Sequence, residues 1–492
     1  MCVKALITNC QGLTQYLWPK LLIKKNITVF INDWKVVGPE LFLGIAVQLL
    51  VVLGVWYGSR PPYSVLVRPI KALSLLTTGL TLWLIARSDI YGTVWNESFS
   101  FNENARTIHM WILVGCLVSL ALANNKTVYE NSLFMLFSAL GMIGLAASQD
   151  FLAFYLTLEL QSFCFYILAA TRRTSQYSTE SGLKYFILGA IASGFLLFGG
   201  SLLYGATGSL CFSDWMLLSQ VETPMFFTLG MVFFFVGLLF KLSAFPFHVW
   251  TPDVYEGAPT FITAFFALVP KIAVLGLFFK LLSTSFYSSL ELWQPILVTA
   301  AVGSMLIGAL GALGQQRLKR LFAYSTIAHV GFILLGLATC AWDTSFFYLA
   351  LYFVMTIATF SFLLSFGYRN VSELAGVGRT NPALGISFAL LLFSMAGVPP
   401  LAGFFGKYKV FEAAVSAQMY SVALVAVVTS VIGGVYYLRI IKTMFFAKVE
   451  DVASPVTSPM ATYLFSASVG FLVFFWLYPG PVYFFAEMLS LS

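Results

Sequence analysis

This sequence predicts an all-α, polytopic membrane protein, and three observations predict it. Hydrophobic residues make up 59% of its 492 positions, charged residues only 10%, and the mean hydropathy is +0.88. That balance leaves too little polar surface for a water-soluble domain. Apolar runs long enough to cross a bilayer, which needs about 20 residues each, recur along the whole chain between charged or Pro/Gly-rich breaks. Irregular backbone and open strand edges cannot face lipid, so these runs are expected to form a helical bundle.

Taken in order, residues 1–38 form a leader of uncertain placement carrying Lys4, Lys20, Lys24, Lys25 and Lys35. A surface-lying amphipathic helix near 5–25 and one additional crossing both fit it. It lacks the pattern of a transit peptide or a cleaved secretory signal, which fits synthesis in the compartment of insertion. Fourteen candidate spans follow, near 39–58, 66–86, 108–123, 130–147, 150–171, 183–206, 225–245, 258–283, 294–314, 321–341, 343–366, 383–405, 410–438 and 459–488. Pro39-Glu40 opens the first as a helix start with an acid on the positive dipole end, a role that needs no chemistry.

The loops alternate in charge. Those after spans 1, 3, 5, 9, 11 and 13 hold Arg60, Arg68, Lys71, Lys126, Arg172, Arg173, Arg317, Lys319, Arg320, Arg369, Arg379, Arg439, Lys442 and Lys448. The opposite face has Arg87 and Arg106 beside Asp214, Glu222, Glu291 and Asp343. By the positive-inside rule the basic face is cytoplasmic or matrix-side, with both termini on the other side. The net charge of +7 therefore describes membrane topology and not nucleic-acid binding.

Two spans are interrupted. Span 7 reads LLFKLSAFPFHVWTPDVYEGAP, with Lys241 five residues before Pro246, and span 12 reads LLLFSMAGVPPLAGFFGKYKVF, with Gly397, Pro399, Pro400 and Gly403 before Lys407. Proline inside a helix frees a carbonyl, tolerated at membrane depth only where protein or a wet cavity receives the exposed backbone. Numbered this way, residues 39–123 are three leading spans. Residues 124–283 (spans 4–8) and 294–447 (spans 9–13) then pair as two five-helix repeats of opposite topology, with 459–492 as a closing helix. Inverted repeats with broken helices are a recurrent plan for moving ions.

Ionisable residues inside these spans are the candidate machinery, because each costs at least about 2.5 kcal/mol at the bilayer centre even on the lenient insertion scale. Glu159, in DFLAFYLTLELQSFCFY, reads either as a structural ion pair or as the partner of Lys241 that sets that lysine's proton affinity. Lys184 either snorkels to the interface or joins the set. Lys271 follows Pro270 at a kinked, deep position. Lys407, beside Lys409, reads as a helix cap near water or as a further relay. His329, in LFAYSTIAHVGF, reads as a packing residue or as a shuttle suited by its ordinary pKa. His248, near Asp253 and Glu256, reads as a loop residue. Lysine can exchange a proton under these conditions where arginine cannot.

Cys2, Cys10, Cys116, Cys164, Cys211 and Cys340 are scattered, without CxxC or a histidine at metal-ligand spacing, and no glycine-rich nucleotide motif is present. No cofactor or metal is therefore assigned to this chain.

The run LTLELQSFCFYILAATRRTSQYSTESGLKYFILGAIASG, with FKLSAFPFHVWTPDVYEGAPTFITAFFALVPK, RLFAYSTIAHVGF and MAGVPPLAGFFGKYKVF, resembles the subunit-2 family of NADH:ubiquinone oxidoreductase, respiratory complex I. The likeness is strongest to plant and algal mitochondrial forms and covers roughly 130–445. It implies a fourteen-helix antiporter-like subunit of the membrane arm, placed in the mitochondrial inner membrane and coupling electron transfer elsewhere to proton translocation. Matched residue by residue, it assigns proton transfer to Glu159, Lys184, Lys241, Lys271 and Lys407, with His329 in a helix-10 motif of less definite role. It implies FMN, iron–sulfur clusters and ubiquinone in partner subunits and none here. Expected partners are other membrane-arm subunits, further antiporter-like ones included, and membrane lipids, with cardiolipin one candidate. The alternatives are a subunit of a Mrp-type cation/proton antiporter and an inert membrane-arm scaffold.

Overall fold

The computed structural model describes residues 33–58, 67–123, 128–219, 225–447 and 458–491. Residues 1–32 of the expected leader lie outside these, as do Arg60, Lys126, Glu222 and Lys448. The chain is a helical bundle. Its first helices are α1 (Gly38–Gly58), α2 (Val67–Arg87), α3 (Glu103–Leu122), α4 (Glu130–Ala147), α5 (Phe151–Ala169) and α6 (Gln176–Thr207). A short α7 (Phe212–Ser219) leads to α8 (Met225–Leu242), α9 (Trp250–Gly257) and α10 (Thr260–Ser283). Then come α11 (Leu290–Leu313), α12 (Leu318–Ala338), α13 (Trp342–Phe366) and a single turn, α14 (Val377–Thr380). The chain closes with α15 (Pro382–Ala396), α16 (Ala402–Ser416), α17 (Tyr420–Phe446), α18 (Pro459–Phe474) and α19 (Gly480–Leu491).

Among the described residues thirteen helices are long and apolar enough to cross a membrane, and α15 is a shorter apolar helix. The protein is a multi-pass membrane protein. α10 is apolar all round and has its whole central stretch buried, as a helix without a polar face must. α12 is almost as enclosed, while α1, α2, α6 and α17 turn large apolar side chains such as Leu49, Trp56, Leu76, Ile187 and Val431 outward.

Both interruptions are present, and in each the freed backbone is received by protein. After α8, Ser243 takes a left-handed φ of 62°. The Phe245 N–H donates to Ser304 Oγ on α11 at 2.8 Å, and Trp250 Nε1 donates to the Phe240 carbonyl at 3.0 Å. After α15, Gly397 adopts φ 87°, the Gly403 N–H donates to Ser394 Oγ at 3.2 Å, and Lys407 Nζ donates to the Ala396 carbonyl at 2.8 Å. The same triplet, Leu-Leu-Phe at 238–240 and 391–393, precedes each break by the same distance, with Lys241 and Ser394 in corresponding places five residues before a proline.

Several boundaries differ from expectation. The second half of the broken span 12 runs on through residues 406–409, where a loop was expected, to Ser416, and the next helix starts at Tyr420 instead of at 410. Lys407 therefore lies inside α16 and not at a span end. The expected helix 459–488 is divided at Pro479-Gly480-Pro481 into α18 and α19. Between α2 and α3 stands an unexpected hairpin, β1 (Gly92–Val94) paired antiparallel with β2 (Phe99–Phe101), in register Gly92↔Phe101. Trp95, Asn96 and Glu97 all take positive φ in its turn.

Candidate functional site

The buried lysines and the histidine gather on the enclosed helices of the bundle. Lys241 closes α8 just before the break, and its Nζ donates to Ser162 Oγ on α5 at 2.7 Å. Its ammonium lies 6.0 Å from the centre of the Tyr166 ring. Lys241 and Lys271 line one small cavity, whose wall mixes the polar groups of Gln161, Ser243, Tyr185 and Tyr255 with Phe165, Trp250, Phe266 and Pro270.

Lys271, 2% exposed on α10, donates to the Tyr352 hydroxyl at 2.9 Å and sits 4.9 Å from that ring's centre. His329 on α12 follows at once. Its Nδ1 is 2.7 Å from the Tyr348 hydroxyl, and its ring centre is 5.6 Å from that of Tyr352. Tyr348 and Tyr352 are four apart on α13 and so share one helix face. Lys407, on the far side, stands 5.3 Å from the Phe332 ring, which itself packs on Tyr348. Phe332 and Tyr348 thus stand between Lys407 and His329. Beneath His329, Thr326 reaches toward Tyr352, and Ser325 hydrogen-bonds Tyr437 of α17, next to Tyr436.

Each of these charges has a local compensating contact: a hydroxyl, a carbonyl or an aromatic face. Burying a cation at this depth without such contacts would be far more costly.

Two expected members sit elsewhere. Lys184 is 44% exposed and ion-paired to Glu180 at 2.7 Å and to Asp253 at 2.8 Å. It belongs to a network that continues through Arg320 to Glu256 and Arg317, and does not join the buried set. Among the described residues Glu159 makes no direct ion pair with Lys241; the lysine bonds instead to Ser162, one turn along α5. Glu159 Oε1 is buried without a hydrogen-bond partner. The carboxylate falls at helical spacing with exposed Leu152, Leu156, Phe163 and Ile167, at the outer margin of the molecule. His248 lies in the break after α8, as expected of a connecting residue, with its ring against Phe245.

Tyr348 and Tyr352 are members that sequence reasoning missed. In WDTSFFYLALYFVMTIATF they look like ordinary packing aromatics; only their spacing of four, opposite a buried lysine and histidine, marks them. Lys280 was missed as well. It anchors the end of α10 by donating to the Ser148 carbonyl at 2.7 Å and to Ser100 Oγ on β2 at 3.0 Å. Glu40, in the first turn of α1 as expected, also meets His109 of α3 at 3.2 Å. Among the described residues no three His, Cys, Asp or Glu side chains converge as metal ligands would.

Comparison with known proteins bears on the fold and the family. Residues 148–433 match the family model described as NADH:quinone oxidoreductase/Mrp antiporter, transmembrane. NADH-quinone oxidoreductase subunit N of Parvibaculum lavamentivorans is 39% identical over 462 residues, covering 90% of this chain and 94% of that protein. NADH-ubiquinone oxidoreductase chain 2 of Marchantia polymorpha is 35% identical, covering 94% and 99%. A chain of respiratory complex I from Thermus thermophilus superposes with a TM-score of 0.78 at 31% identity, covering 90% of this chain and 98% of that one. A chain of the Mrp complex from Dietzia sp. reaches 0.79 at 19% identity, which is a likeness of fold alone. With its broken helices and its matched length, the chain belongs to the NADH:quinone oxidoreductase/Mrp antiporter family of transmembrane subunits.

Proposed function

We propose that this chain is a membrane-arm subunit of respiratory complex I that carries protons along the buried set Lys241, Lys271, Tyr352, His329, Tyr348 and Lys407. The observation that carries this reading is the gathering of buried titratable groups on α8, α10, α12, α13 and α16 around the hydrogen-bonded pairs Lys271–Tyr352 and His329–Tyr348. Each lysine alternates between charged and neutral, and the arrival of a charge at one position lowers the proton affinity of the next. Direct hydrogen bonds join Lys271 to Tyr352 and His329 to Tyr348, and the intervening steps need water: a single one fits the cavity shared by Lys241 and Lys271. Tyr352 and Tyr348 relay between Lys271 and His329, each hydroxyl both donating and accepting.

Moving one charge against the membrane potential costs about 2.3 kcal/mol per 100 mV, so the driving force comes from redox chemistry in partner subunits that hold flavin, iron–sulfur clusters and ubiquinone. Glu159 supports assembly with such partners. A carboxylate at the outer margin of a lipid-facing stripe is costly unless a neighbouring membrane subunit covers it, and that neighbour's charge would then act on Lys241 through Glu159. Two five-helix repeats, 124–283 and 294–447, frame this path. The mitochondrial inner membrane is the compartment we assign, on the motif likeness to mitochondrial forms, and subcellular fractionation checks it.

The test is Lys241→Met in the assembled complex. With subunit content normal on a blue-native gel, NADH-driven acidification of sealed vesicles falls by about tenfold or more, the scale of a lost proton-transfer group. Unchanged pumping would support an inert scaffold. Migration without flavin and iron–sulfur subunits would support the Mrp-type antiporter reading, which the shared fold keeps in view.

A further inference from the structure

On the face that carries the basic loops, a cavity of about 500 Å³ opens between the ends of α5, α9 and α13 and the starts of α10 and α12. Four cations line it, Arg172, Arg317, Lys319 and Arg369, against one carboxylate, Glu256. That carboxylate is already engaged by Arg317 and Arg320. Arg172 and Arg369 make no ion pair among the described residues, and both line the same hollow as Lys319. Glu373, the acid nearest Arg369 in sequence, is occupied by the Arg369 backbone N–H at 2.8 Å and by the Asn370 side-chain amide at 2.8 Å.

Three like charges converging on one hollow is an unfavourable arrangement unless an anion completes it. The floor adds to the field. α10 begins at the cavity with Thr260, and its N-cap, Pro259, has no side-chain acceptor for the first amides, so the positive end of a 24-residue helix points at the same space. Lys319 is fixed there by donating to the Ala258 carbonyl at 2.7 Å, and the backbones of 316–318 and 369–371 are tied by Leu318 N–H to Arg369 O and Val371 N–H to Gln316 O.

We infer that this cavity is a binding site for a phosphate-bearing anion. Guanidinium groups suit the paired oxygens of phosphate, and Leu363 and Leu364 at the end of α13 supply an apolar wall that suits the glycerol and first methylenes of a lipid. The chemistry is shared by the headgroup of an anionic phospholipid and by free phosphate. The site lies apart from the buried amines and neither requires nor tests the proton path.

The experiment follows hydrogen–deuterium exchange of the Leu318 and Val371 amides in the native membrane complex, delipidated and placed in phosphatidylcholine nanodiscs. Cardiolipin is added to one series and inorganic phosphate to another. Exchange slows with added anion, and the half-maximal concentration rises about fivefold for each of Arg172→Gln and Arg369→Gln, the share expected of one basic residue near a membrane surface. Slowing by cardiolipin alone assigns the headgroup; slowing by phosphate assigns a soluble anion. Absence of slowing by either in the intact wild-type complex overturns the site. So does slowing that survives undiminished in the double variant, or that is lost equally in Arg173→Gln, whose side chain lies outside the cavity.

Discussion

Lys184 and Lys241 carry the same side chain into opposite surroundings, and their substitutions separate accordingly. Lys184 is held by two carboxylates in half-exposed surroundings, where an ion pair contributes about 0–1 kcal/mol. Lys184→Gln therefore leaves NADH-driven pumping within about twofold of wild type, measured in vesicles at equal complex content. Tyr352→Phe removes only the oxygen that accepts from Lys271 Nζ, keeping the ring and its cation–π contact. Pumping is expected to fall about tenfold or more while assembly is normal, the signature of a relay and not of packing. The pair Glu40–His109 predicts a change in stability alone. Glu40→Leu leaves His109, fully buried, without its partner and destabilises by about 1–3 kcal/mol, read as a lower melting temperature of the assembled complex with residual pumping per complex unchanged. That pair joins positions 69 apart in sequence, which no local pattern in either segment announces.

The interrupted helices were legible because proline and glycine speak locally: Pro246 and the Gly397–Pro400 run each mark a break that the backbone then makes. The groups that receive the freed amides and carbonyls, Ser304, Trp250 and Ser394, were not legible, since each is supplied by tertiary proximity. Nor was the length of α16, because Lys407 and Lys409 look like interfacial residues until Lys407 is seen to fold back on the Ala396 carbonyl. Close approach here is strict. A Cβ on Gly403 would lie 1.8 Å from the Ser394 carbonyl oxygen, so Gly403→Ala must push the two half-helices apart. It is expected to cost about 1–3 kcal/mol and to lower the yield of assembled complex, with Gly434→Ala, where nothing lies within 4 Å, as the tolerated control.

Across the whole molecule, hydropathy located nearly every crossing, because lipid imposes length and composition directly on the chain. It could not rank the crossings from outer to inner. α10 and α6 read as similarly apolar, yet α10 is enclosed and α6 turns Leu183, Ile187, Ile191 and Phe198 outward. The path was legible in its lysines, whose charge is conspicuous against hydrocarbon, and silent in its tyrosines, which are not. The β1–β2 hairpin escaped altogether, since its strands are three residues each and its outer edge is tied to Ser148 and Gln149, some fifty residues on in the chain. A membrane-soluble photoreactive lipid added to the separated subunit in detergent is expected to label α6 on this outward face and to leave α10 unlabelled.

The enclosure of α10 also bears on how the chain is made. During synthesis this segment emerges after α3, α4 and α8, on which it packs, but before α12 and α13, so for a time Lys271 lacks the Tyr352 hydroxyl and the side of α10 that α13 will cover stays open. An insertion chaperone, or a delay at the translocon until roughly a hundred further residues have emerged, would shield it. Ribosome-stalled intermediates ending before Trp342 should then remain crosslinked to that machinery, and those ending past Phe366 should be released.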